Sequence, residues 1–235
     1  MTLLEELKAR ELFFQTTSED FENYLETHKV TFYLGCDPTG DSLHVGHLVT
    51  YLVAKRLEQR GHHPILLVGG ATGQIGDPKQ QGERKMLSLE TTNENARKLA
   101  HQVETLFGFH TIVNNLDWTK NLSVIDFLRF YGKEFNVNTM INKETVKARL
   151  DSGISYTEFS YQILQAMDWY HLFKTMKQNN KDFGVGDGKS LTVTWGARQL
   201  SWVCSSGGTM SSTYAGNSKN VEYHYVIVGF DNAGA

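Results

Sequence analysis

Apolar residues fall along the chain with two spacings. Residues 30–34, from Val30 to Leu34, form a short β-branched and aromatic run that predicts a buried strand. After a polar, glycine-bearing turn, Leu48, Tyr51, Leu52, Lys55 and Leu57 recur at helical spacing and predict a helix. Residues 65–68 are wholly apolar, as in a parallel strand covered on both faces, and 110–114 read as a third strand. Residues 1–14 read as an amphipathic surface helix and 19–27 as a short second one. Thr91 with Glu94 forms a capping box opening a helix to about residue 107; 124–131 and 143–150 read as further helices, and Ser155 with Glu158 caps another. Within 177–235, residues 191–195 and 222–229 read as strands with turn-rich sequence between them. Strands alternating with helices predict an α/β fold with a doubly wound parallel sheet.

The junction after the first strand carries the densest chemistry. Strand, glycine-rich turn and helix bring backbone N–H groups and a helix N-terminus to the carboxyl end of a strand, a place where open α/β sheets bind anions and nucleotides. His44 and His47 flank Gly46 at the first helical turn, offering imidazole donors and a bare backbone against which a flat group can lie. That suits a nucleoside triphosphate. The segment 69–83 holds Gly69, Gly70, Gly73, Gly76 and Gly82, so its backbone can approach a ligand closely. Further on, Tyr161, Gln165 and Asp168 stand at i, i+4 and i+7 and project from one helix face, while Phe159, Ile163, Ala166, Tyr170 and Phe173 are free to pack. By spacing alone such a polar stripe reads more readily as a solvated face.

Length and composition set limits. With 235 residues, 40% hydrophobic and 11% aromatic, the chain can form one sizeable α/β domain and a small appendage. A net charge of −3 gives no global footprint for nucleic acid, so any RNA contact must be local. Cys36 and Cys204 make neither a disulfide framework nor a metal site, and no metal ligand set is predicted. No apolar stretch reaches membrane-spanning length, and the N-terminus is not a signal peptide, so no membrane association and a cytoplasmic location are expected. Cys36 reads as a packing residue. Gly184 to Ser190 misses a phosphate-binding loop by one position, because Phe183 stands where its first glycine belongs.

His44-Val45-Gly46-His47, the wider run 33–48, and the runs 67–78 and 153–168 together resemble the class I aminoacyl-tRNA synthetases, and within them the bacterial tyrosyl-tRNA synthetases. The resemblance covers about residues 1–176. It implies a Rossmann-like catalytic domain over that span, with 177–235 unassigned and no anticodon-binding or S4-type domain. It implies a tyrosine site in which Asp77, Tyr161 and Gln165 receive the ammonium group and Tyr33 and Asp168 bond the phenol. It further implies an ATP site of Gly35, Asp37, Thr39, His44, Gly46, His47 and Arg84, with Lys79 in the same mobile loop. Thr39, His44 and His47 would be the catalytic residues near the terminal phosphates. Mg²⁺ would accompany ATP. The implied reaction is activation of tyrosine to tyrosyl-adenylate, followed by transfer to tRNA(Tyr), in a homodimer formed through residues 117–152. Lys85-Met86-Leu87-Ser88 only superficially matches the second class I signature. Because the resemblance stops at Met176, impaired activity is expected, and a non-catalytic tyrosine-binding or dimer-partner fragment is the alternative.

Overall fold

A computed structural model of the chain describes residues 1–13, 15–16, 21–78, 86–178, 190–194 and 225–229. The first helix, α1 (Leu3–Ala9), starts with a capping box: Glu5 N–H donates to Thr2 Oγ1, and Thr2 N–H to the Glu5 carboxylate. It is not merely a surface helix, since Leu3, Leu4 and Leu7 are buried. A short strand β1 (Gln15–Thr16) and helix α2 (Phe21–Thr27) follow.

Strand β2 (Thr31–Cys36), helix α3 (Val45–Gln59) and strand β3 (His63–Val68) form the first βαβ unit. The helix is rotated from the predicted stripe. Tyr51 and Leu57 are buried, yet Leu48 and Leu52 are 43% and 39% exposed, and Thr50, Val53 and Ala54 take their place against the sheet. Small side chains let the helix axis approach strands whose own Phe32 and Leu34 already fill the space.

The segment predicted as a glycine loop contains a single-turn helix, α4 (Thr72–Ile75). Helix α5 (Leu89–Phe107) is capped by Ser88, whose Oγ accepts from Thr91 N–H, and not by Thr91. Glu94 pairs instead with Arg97. Gly108 ends α5 at φ +67°, in the left-handed region a glycine takes without strain.

Strand β4 (Ile112–Asn114) is followed by α6 (Leu116–Thr119) and by α7 (Val124–Asp126), which continues as a π-helical turn, Phe127–Tyr131, and a 3₁₀ turn, Gly132–Glu134. Then come α8 (Val137–Ile141), α9 (Glu144–Lys147) and the long α10 (Tyr156–Gln178). The helix predicted over 143–150 is thus a single turn with a neighbour upstream. At the start of α10 the predicted capping box is half made. Ser155 Oγ accepts from Glu158 N–H, but the Glu158 side chain forms a buried ion pair with Arg149 at 3.0 Å.

The predicted strands after residue 176 are present as β5 (Ser190–Thr194) and β6 (Tyr225–Gly229). The sheet order is β1-β5-β6-β2-β3-β4, with β2 to β6 parallel and β1 antiparallel to β5. Gly184 to Lys189, Cys204 and His224 lie outside the described residues, as do Lys79 and Arg84.

One face of the sheet carries the main core, where Val30, Phe32, Leu34 and Leu66 meet α1, α3 and α5. The opposite face packs Ile65 and Leu67 on Leu172 of α10, beside Tyr33, Trp118 and Trp169. From β2 the chain steps to β3 and β4 on one side, while β6 and β5 lie on the other. The carboxyl end of β2 is therefore a topological switch point, where an open α/β sheet leaves a crevice.

Candidate functional site

The crevice is built from the carboxyl ends of β2, β3 and β4, with α10 across it. At the end of β2, Asp37 is held in place by both oxygens: Oδ1 accepts from Thr72 Oγ1 at 2.6 Å and Oδ2 from Tyr161 Oη at 2.8 Å. Gly69 makes this possible, because a Cβ there would fall 2.0 Å from Asp37 Oδ1 and 2.3 Å from Thr72 Oγ1. A Cβ on Gly70 would meet Asn114 at 2.2 Å, and one on Gly73 would meet Pro38 at 2.7 Å. These glycines are thus required by neighbouring protein atoms, not by a ligand as the sequence suggested. Gly35 and Gly40 differ. A Cβ on Gly35, within β2, would make only ordinary contacts, 3.7 Å from Leu67 and 3.8 Å from Tyr33, and one on Gly40 would meet nothing within 4 Å, so the turn is open at Gly40.

Asp168 of α10 is 4% exposed. Its Oδ1 accepts from Trp118 Nε1 at 3.0 Å and its Oδ2 from Asn115 Nδ2 at 2.9 Å. Burial pushes its pKa up to about 8; the two donors pull the other way without overcoming the desolvation, and the Asp37 carboxylate adds to the rise. Asn115 is fully buried and ties the cluster together. Its Oδ1 accepts from Ala71 N–H at 2.7 Å, and its Nδ2 also reaches Thr72 Oγ1 at 2.9 Å. Tyr33 is kept protonated chiefly by burial, with the nearby Asp168 carboxylate contributing. The Tyr161 phenol is likewise held well above its ordinary range by burial, then by Asp37 and Asp77. Asp77 is buried, and Gln165 is half-buried one turn beyond Tyr161. Asp37 and Asp77 lie close enough to act on Tyr161, and carboxylates so placed favour a cation.

The other end of the crevice is the start of α3. His44 is its N-cap, with Nδ1 accepting from Gly46 N–H at 3.1 Å; His47 Nδ1 accepts from His44 N–H at 3.1 Å. With both Nδ1 atoms accepting, the neutral rings carry their protons on Nε2. The two rings lie against each other, centroids 3.8 Å apart and planes tilted by 35°. Gly46 serves this arrangement, since a Cβ would lie 2.9 Å from His44 Cε1. The room it leaves is filled by His44 itself, not held open for a ligand. Thr39 lies exposed in the turn between Asp37 and α3, its N–H bonded to Asp37 C=O.

Asp37, Asp77, Tyr161 and Asp168 are thus brought together, with Tyr33 beside Asp168; Gly35, Thr39, His44, Gly46 and His47 lie along β2, the turn after it and the start of α3, Gln165 lies on α10, and Arg84 is outside the described residues. Sequence reasoning missed Thr72, Asn115 and Trp118. The signal for Asn115 was the polar pair directly after β4, at the carboxyl end of a parallel strand. Cys36 is a packing residue as expected, buried with its thiol pushed up to about 12. Among the described residues no group of three or more His, Cys, Asp or Glu is placed to hold a metal ion, and no helix is long and apolar enough to cross a membrane.

Residues 25–182 match the family of tRNA synthetases class I (W and Y). Over 181 residues the chain is 48% identical to a tyrosine–tRNA ligase of Listeria monocytogenes serotype 4b (strain CLIP80459), an alignment covering 74% of this chain and 43% of that protein. A tyrosine–tRNA ligase 2 of Bacillus cereus matches at the same identity and coverage. Among solved structures, a C-terminally truncated mitochondrial tyrosyl-tRNA synthetase of Aspergillus nidulans superposes with a TM-score of 0.67 at 28% identity, covering 74% of this chain and 54% of that one. The chain spans less than half the length of these curated relatives.

Proposed function

This chain belongs to the class I tRNA synthetases of the W and Y group, and from that premise we propose that it binds tyrosine and ATP and joins them as tyrosyl-adenylate, the step before transfer to tRNA(Tyr). The observation that carries the reading is the buried Asp168 carboxyl, fixed between Trp118 and Asn115 beside the Tyr33 phenol. Each Asp168 oxygen retains a lone pair, and a second phenol is a donor of the right shape to meet one. Tyr33 offers its own hydroxyl to the same group. At the other end of the amino acid, Asp77, Tyr161 and Gln165 receive the ammonium. Tyr161 still accepts through its oxygen, although its proton is committed to Asp37.

ATP would enter over the bare turn at Gly40 and along Gly35, with Asp37 and Gly46 lining its path; Arg84, assigned to the same site, lies outside the described residues. His44 and His47 offer Nε2–H donors, and Thr39 adds a hydroxyl. Mg²⁺ would arrive on the triphosphate. The tyrosine carboxylate is already anionic at neutral pH, so its oxygen attacks the α-phosphorus directly, the bond to the β-phosphate bridging oxygen breaks, and pyrophosphate departs. No side chain needs to act as nucleophile or base. Rate comes from holding the two groups in line and from donors aimed at the charge that grows on the leaving group.

We place the catalytic domain over residues 1–176. The homodimer surface falls within 117–152, where Val124, Ile125, Leu128, Phe130, Val137 and Leu150 are all exposed, an apolar set of the kind a partner covers. The test is ATP–pyrophosphate exchange with and without tyrosine, on the parent and on His44→Ala. Tyrosine-dependent exchange that falls by roughly 10²-fold in the variant, with tyrosine binding intact, supports the reading. Tyrosine binding without any exchange would favour the non-catalytic binder. Neither binding nor exchange would overturn both.

A further inference from the structure

Helix α10 grips Trp118 twice. The indole Nε1 donates to Asp168 at 3.0 Å, and the indole face lies on the imidazole of His171, with centroids 4.2 Å apart and planes 11° from parallel. Asp168 and His171 are three residues apart, so they project from neighbouring turns on the same side of the helix. The two contacts constrain different motions. A hydrogen bond fixes how far the indole N–H sits from the carboxylate but leaves the ring free to tilt about that bond. A parallel stack fixes the tilt. His171 is itself steadied, its Nε2 lying 3.3 Å from Thr175 Oγ1 one turn further along. Burial, and then the Lys174 charge, hold its pKa below the ordinary histidine range, so a neutral flat ring meets the indole at pH 7.5.

We infer that His171 is a positioning residue for the phenol end of the tyrosine site, acting through the stacked Trp118 indole on the Asp168 carboxyl. The role rests on the reading of this crevice as a tyrosine site. His171 need not touch the ligand. Without the stack the indole can swing off the carboxylate, leaving Asp168 with Asn115 as its remaining donor among those seen here, and the acceptor offered to the phenol loses its fixed direction. Only ligands with a para-hydroxyl should feel the change. Phenylalanine, which makes no bond there, should bind the parent and the variant alike.

The experiment uses the full chain as parent, His171→Ala and His171→Phe, the last keeping a flat ring. Two readouts are taken: the ¹H–¹⁵N indole resonance of Trp118 in ligand-free protein, assigned with Trp118→Phe, and calorimetric titration with tyrosine and phenylalanine. His171→Ala should move the Trp118 N–H resonance upfield as its hydrogen bond loosens and raise the Kd for tyrosine about 3- to 10-fold, leaving that for phenylalanine unchanged. His171→Phe should restore both to within about 2-fold of the parent. An unmoved resonance, or an unchanged tyrosine Kd in His171→Ala, overturns the positioning role. A parent that binds no tyrosine overturns the site reading instead, and the resonance still reports separately whether the stack holds the indole.

Discussion

Replacing Asp168 with asparagine removes a buried titratable carboxyl while keeping the side chain's shape. In the unfolded chain the carboxyl titrates at its ordinary 3.8, and in the fold at about 8. The folded state holds the proton more tightly, so the group's contribution is fully present below pH 3.8 and is lost as pH rises through about 8. His62 works in the opposite direction over part of that span. Its Nδ1 accepts from Val30 N–H, and burial lowers its pKa from 6.5 to about 4, so its contribution is complete above 6.5 and lost as pH falls toward 4. Between pH 4 and 6.5 the two slopes cancel. Between 6.5 and 8 only Asp168 remains, and 1.5 pKa units at about 1.4 kcal/mol each amount to about 2 kcal/mol. Asparagine carries a separate, pH-independent cost. One end of its amide must face a donor, either Trp118 Nε1 or Asn115 Nδ2, and an unmet buried donor costs about 1 to 3 kcal/mol. Asp168→Asn should therefore be the less stable protein at pH 6.5, and the gap should narrow by about 2 kcal/mol at pH 8.5. Urea unfolding followed by far-UV circular dichroism at the two pH values measures this. A gap that stays constant would mean the carboxyl is not desolvated in the fold, and the argument built on it would fail.

In an Asp168→Asn background the His62 slope is no longer offset, so unfolding free energy should drop by about 2 to 3 kcal/mol from pH 6.5 to 4.5; a flat profile over that window would show that His62 is not buried neutral. Gly69→Ala forces a methyl group onto Asp37 and Thr72 and should cost about 3 kcal/mol or more in urea unfolding, whereas Gly35→Ala should fold normally and weaken ATP binding in filter assays; equal stabilities for the two would contradict the geometry. Asp77→Ala should abolish calorimetric tyrosine binding while leaving the circular dichroism spectrum intact, because losing the charged partner of a buried ammonium costs about 3 to 5 kcal/mol. Normal tyrosine binding by that variant would reduce Asp77 to a turn former beside Pro78.

Much of this fold could be read from local pattern because its elements are long or strongly punctuated. The all-apolar run at Ile65 to Val68 read as a covered strand and lies in β3, and the helix predicted to end near residue 107 ends there as α5. Errors arose where several residues could do the same local job. Thr91 and Glu94 read as the cap of α5, but Ser88 caps it, its Oγ accepting from Thr91 N–H, and Glu94 pairs with Arg97. The α3 stripe was misread because hydrophobicity favours Leu48 and Leu52, whereas close approach to a sheet favours Val53 and Ala54. Spacing placed Tyr161 and Asp168 on one face of α10 but also fitted a solvated face, whereas both are buried. The supports of Asp168 were not legible. Asn115 and Trp118 lie about fifty residues away in sequence, and only the pairing of β4 with β3 brings them under α10. Gly69, Gly70 and Gly73 were assigned to a ligand because the residues they must avoid, Asp37, Asn114 and Pro38, are distant in sequence.

The account stands most directly on one comparison: calorimetric titration of the intact chain with tyrosine and with phenylalanine at pH 7.5, with Asp168→Asn alongside. It predicts saturable tyrosine binding, phenylalanine weaker by at least about 10-fold because the buried Tyr33 and Asp168 groups would lose a partner, and most of that difference gone in the variant. Equal affinities for the two amino acids in the parent, or discrimination that survives Asp168→Asn, would contradict the assignment of this crevice as a tyrosine site.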